Sequence, residues 1–191
     1  MHRVIVCGEG PLALEIARAL RTATRDAIAA VDAAGVQRAI GAAREGGDRI
    51  DALVTVPPSR VAAETIVATP EPLWDDIIER HLTALFLACK AVVPHLIANG
   101  GGAIVNIAGA AGYGRAHRAA ESAGHGGIIA FGAALAYDHF HDRVRVNTIV
   151  AGDAASPAEI APVAAFLLSA EAEVMSGSIL DVGNIAYQGG R

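Results

Sequence analysis

The sequence predicts an α/β fold: a single domain, residues 1–191, built on a doubly wound and mainly parallel sheet of about six strands. Three observations predict it. Short apolar runs alternate along the chain with longer stretches of helical periodicity, the pattern of β-α-β units whose strands are covered on both faces. The 191 residues are 53% hydrophobic and 18% charged, enough apolar material for a sizeable core and too much for a disordered chain. No internal repeat or low-complexity linker divides the chain.

The first strand is expected at residues 3–7 and the first helix at 11–23. A second strand at 27–31 leads to a helix at 35–45, with Asp32 as its N-cap. The third strand, 52–56, precedes a long helix at 73–98. Asn99-Gly100-Gly101-Gly102 terminates that helix and leads into a strand at 103–107. A helix at 122–139, a strand at 145–150, a helix at 157–168 capped by Ser156 and a strand at 178–182 complete the pattern.

Composition excludes several partners. Only 4% of residues are aromatic, too few for a platform that stacks single-stranded bases. Fifteen basic against twenty acidic residues give a net charge of -5, which disfavours nucleic acid and anionic membrane surfaces. Cys7 and Cys89 lie in apolar runs and read as reduced thiols. The apolar start of MHRVIVCG is too short for a secretory signal, and no segment reads as long and uncharged enough to span a bilayer, so a cytoplasmic protein is expected. Lys90 is the chain's only lysine.

After the first strand comes Gly8-Glu9-Gly10-Pro11-Leu12-Ala13, a G-x-G-x-x-A turn opening a helix. In a dinucleotide-binding domain the first Gly makes the tight turn, the second admits the pyrophosphate and the small third residue lets helix pack on strand. Gly8, Gly10 and Ala13 are therefore the candidate cofactor-binding residues. Two features oppose that role. Glu9 puts negative charge where pyrophosphate would sit, and no second strand ending in an acid is read about 20 residues on, since Asp32 fits better as a helix cap. The preferred reading is a vestigial turn that serves packing.

Asp51-Ala52-Leu53-Val54, Gly102-Ala103-Ile104-Val105-Asn106-Ile107, Arg145-Val146-Asn147-Thr148-Ile149 and Phe166-Leu167-Leu168-Ser169 with Ser176-Gly177 together resemble the short-chain dehydrogenase/reductase family. The segments occur in the family's order over nearly the whole chain. The resemblance implies a Rossmann-like sheet, assembly into dimers or tetramers, and hydride transfer between NAD(P) and an alcohol or ketone. It also implies a tetrad in which Tyr is the acid/base, Lys lowers its pKa and binds ribose, Ser orients the carbonyl and Asn holds a relay water.

None of the four is found at its place. The Asn position falls on His81, the Ser position on Gly109 (Ala108 if the register slips), the Tyr position on Glu121 and the Lys position on His125. The cofactor-cradling Asn-Asn-Ala-Gly is Thr55-Val56-Pro57-Pro58, whose prolines donate no backbone N–H. The family's Pro-Gly is Ala151-Gly152. Too little chain is read before Asp32 for the usual ribose-reading strand and helix, and too little between Gly152 and Pro157 for a substrate lid. Both units are expected to be shortened.

The helices that build family oligomers, 73–98 and 122–139, remain, with the last helix and strand. The leading expectation is thus a pseudoenzyme with no cofactor, partnering itself or an active paralogue through those elements. The alternative is an NAD(P)-dependent oxidoreductase with a rearranged site using Tyr113, His125 or Glu121; a third is a sensor that binds nucleotide without turnover. No metal site is expected: His117, Glu121 and His125 have helical spacing, but a solvated helix start accounts for them better. Chance explains the Tyr113/His117 and Tyr137/His141 spacings, while His139 and His141 read as a polar exit turn and Trp74 and Phe86 as core or interface anchors.

Overall fold

The structure, a computed structural model, describes residues 2–22, 26–30, 32–58 and 64–183. Among these, six strands form one parallel sheet in the order β2-β1-β3-β4-β5-β6. They are β1 His2–Gly8, β2 Asp26–Ala30, β3 Arg49–Val56, β4 Gly102–Gly109, β5 Val144–Ala151 and β6 Ile179–Val182. The helices are α1 Gly10–Thr22, α2 Ala33–Glu45, α3 Glu71–Ile78, α4 Ala84–Ala98, α5 Ala119–Asp138 and α6 Pro157–Leu168. Every expected element is found within a few residues of its place; positions 23 and 31, the expected ends of the first helix and second strand, lie outside the described residues.

Strand alternation sorts the core into two layers. Ile5, Leu53, Ile104 and Val146 point to the face covered by α2, α4 and α5, and Val4, Val54, Val105 and Ile149 to the face covered by α1 and α6. The caps act as their residue types dictate. Asp32 accepts from the Gly35 N–H at 2.6 Å, and Ser156 and Glu159 form a capping box at the start of α6.

The second strand and its helix take the shortened form expected, a five-residue edge strand and α2, with three residues between α1 and β2. Other expectations are corrected. The long helix is one run, Glu71–Ala98, but a π turn at Glu79–Thr83 divides α3 from α4, with the Ala84 N–H reaching back to the Glu79 carbonyl. That run is long and apolar enough, by length and composition, to cross a membrane, because Lys90 is the only charge between Leu82 and Ala98. Here it serves as a layer helix, packing Leu85, Ala88, Val92 and Leu96 into the core. Trp74 and Phe86 lie outside the core, 39% and 46% exposed. Where a lid was expected to be short, residues 152–156 alone connect β5 to α6.

Candidate functional site

In a doubly wound sheet the crevice opens at the carboxyl ends of the strands where the order reverses. Here that point lies between β1, which feeds β2 on one side, and β3 on the other. A cleft of about 250 Å³ opens there, with Gly8, Glu9, Asp32, Thr55, Arg80 and His81 in its lining. Gly8 is required by the turn itself. At φ +152° a Cβ would stand 2.3 Å from the Val56 carbonyl oxygen, so no larger residue fits where β1 passes β3. Gly10, at φ +86°, faces open space, whereas Ala13 is buried and packs α1 on the sheet. Of the three turn residues, two serve packing and Gly10 alone leaves a surface free.

Asp32 does more than the sequence suggests: it caps α2 and also lines the cleft. Arg80 and its partners escaped the sequence reading. Its guanidinium meets Asp76 Oδ1 at 2.6 Å and, across 71 residues of sequence, Glu9 Oε1 at 3.3 Å. No local signal announces that pair, since its partners lie 71 residues apart in sequence and meet only where the fold brings Arg80 and Glu9 to one cleft.

The positions of the expected tetrad do converge, but in a packed cluster. The Gly109 N–H donates to His125 Nδ1 at 3.0 Å, which leaves the ring proton on Nε2. His125 Nε2 faces Glu121 Oε1 at 3.9 Å, and Arg118 Nη1 lies 3.4 Å from Glu121 Oε2. His81 stands edge-on to His125, ring centroids 4.8 Å apart, and donates from Nδ1 to the Ile77 carbonyl at 2.9 Å. Its Nε2 is buried without a hydrogen-bond partner among the described residues. A Cβ on Gly109 would stand 3.0 Å from His125 Nε2, so the imidazole occupies the space beside that position.

Burial governs the charges. It lowers the pKa of His125 to about 3, helped by the neighbouring His81, and lowers that of His81 as well, so both rings are neutral near pH 7. Burial also raises the Glu121 carboxyl, against the pull of Arg118 and Arg115. Tyr113 turns away and donates to Asp181 Oδ1 at 2.7 Å. His117 sits at φ +61° before α5 begins, off the helical face that Glu121 and His125 share. Among the described residues no group of three His, Cys, Asp or Glu side chains is placed to hold a metal. His139 pairs with Asp142 at 2.8 Å in the turn after α5, and Lys90 lies over the Phe86 ring, 5.4 Å from its centroid on α4.

A family model, short chain dehydrogenase, matches residues 2–161. The chain belongs to the short-chain dehydrogenase family. Among its relatives, a 1,6-dihydroxycyclohexa-2,4-diene-1-carboxylate dehydrogenase of Acinetobacter baylyi is 34% identical over 110 residues, 56% of this chain and 42% of that protein. A D-threitol dehydrogenase of Mycolicibacterium smegmatis is 33% identical over 177 residues, 78% of this chain and 67% of that protein. The chain thus spans about half to two thirds of the length of these two curated relatives. The crystal structure of a short chain dehydrogenase from Mycobacterium smegmatis superposes with a TM-score of 0.81 at 20% identity, covering 99% of this chain and 93% of that one, which establishes the fold.

Proposed function

We propose that this short-chain dehydrogenase-family chain is a non-catalytic subunit that works by assembly, with a second copy of itself or with an active member of the same family. One observation carries the reading: His81, Gly109, Glu121 and His125, at the positions read as the family's tetrad, pack against one another, and the three polar side chains are buried. Hydride transfer in this family needs a hydroxyl acid/base of tuned pKa beside the cofactor. Here a neutral imidazole hydrogen-bonded to backbone stands in the lysine position. The cleft is also poorly matched to NAD(P), because Glu9 faces the place of the pyrophosphate and Pro57 and Pro58 remove two donors. Assembly through α4 and α5 is supported by their outward apolar side chains, Phe86 and Leu87 among them.

A second reading is an NAD(P)-dependent oxidoreductase with a rearranged site. Kinship with dehydrogenases and the open Gly10 at the switch point favour it. A titration with NADH and NADPH, followed by an assay against a panel of keto and hydroxy substrates, separates the two. The non-catalytic reading expects no turnover above background. Micromolar cofactor binding with turnover of any substrate would replace it with the second.

A further inference from the structure

A second concavity lies at the opposite end of the sheet, where β4 and β5 begin. It is a groove of about 1020 Å³, at the top of the roughly 300–1,000 Å³ range of small-molecule pockets. Val144 and Leu168 belong to its apolar lining, and Phe140 stands beside them 67% exposed. Four charged side chains line it, and two of them are spent. Arg145 gives its guanidinium to the Leu167, Ala172 and Ser169 carbonyls at 2.8–3.2 Å, and Asp51 faces Arg49 at 3.7 Å. Arg143 and Glu173 are exposed, have no side-chain partner among the described residues and do not pair with each other. Arg143 also holds a backbone conformation that side-chain-bearing residues seldom adopt: φ is +58°, in a turn closed by its N–H to the Phe140 carbonyl. Glycine fills such a slot without strain, so an arginine held there with its guanidinium unspent points to a use for the side chain.

We infer that this groove binds a small zwitterion with an apolar body, of dipeptide size. Arg143 takes its carboxylate, Glu173 takes its ammonium, and Phe140 with the apolar lining takes its side chains. Two opposite charges that do not reach each other suit a ligand that carries both; a ligand of one sign would be drawn by one group and repelled by the other. The inference goes beyond the assembly reading and does not rest on it, because ligand affinity and native mass are measured separately.

Calorimetric titration with leucyl-phenylalanine tests it, beside the N-acetylated dipeptide, which lacks the ammonium, and the C-terminal amide, which lacks the carboxylate. The free dipeptide is expected to bind at least about ten-fold more tightly than either blocked form, the worth of one charged hydrogen bond. Arg143→Gly suits the left-handed backbone and keeps the fold, and it should erase the preference over the amide. Glu173→Gln, a change at an exposed side chain, should erase the preference over the N-acetylated form. A blocked dipeptide that binds as tightly as the free one, absence of binding up to the solubility of the dipeptide, or full discrimination retained in either variant would each overturn the assignment.

Discussion

A buried histidine is a proton the fold refuses. His125 has its pKa lowered from 6.5 to about 3 by burial, with His81 adding to the shift. In the unfolded chain the same ring takes up a proton near its ordinary pKa. Stability from this residue is therefore complete above about pH 6.5 and drains away as the pH falls toward 3. His81 pulls in the same direction, while the raised Glu121 carboxyl has the opposite sign and offsets part of the loss only as the pH drops toward its own range. The thermal midpoint should fall steadily between pH 7 and pH 4.5, and His125→Gln should flatten that slope. A midpoint indifferent to pH across that window would mean that the ring is solvated.

Between elements, the tightest dependence joins β4 to α5. A Cβ on Gly109 would crowd the His125 ring at 3.0–3.3 Å. Gly109→Ser is expected to cost about 1–3 kcal/mol, the range of overpacking in a closed core. Combined with His125→Ala it should cost less than the two singles added, with a coupling of at least ~0.5 kcal/mol by urea denaturation; strict additivity would show that the two positions do not share space. Elements of this kind were largely legible in the sequence, because apolar runs, Asp32, Ser156 and the triple glycine after Asn99 act locally. The π turn was not, since no residue in Glu79–Thr83 marks the shift of the Ala84 N–H to the Glu79 carbonyl. Nor was the Glu9–Arg80 pair, which spans 71 residues, or the second duty of Asp32 in the cleft wall. Positions aligned to a motif could be named in advance; whether they faced solvent or core could not.

For the whole molecule, α4 and α5 pose an unbalanced surface. Both are apolar nearly all round, as helices buried on every side are, yet Phe86, Leu87 and Ile97 of α4 are 46%, 40% and 38% exposed. Light scattering at micromolar concentration should give a mass of at least two chains, and Phe86→Glu with Leu87→Glu should shift it toward one. A parent protein that is strictly monomeric and recovers no second family member would remove the case for assembly. On the proposed non-catalytic reading, the histidine cluster also bears on descent. Because Gly109 and His125 share space, a serine at position 109 would crowd the imidazole, and removing the imidazole first would leave a hole in the core and an unpaired Gly109 N–H. On that reading either first step back would carry a stability cost, and the cluster would act as a ratchet.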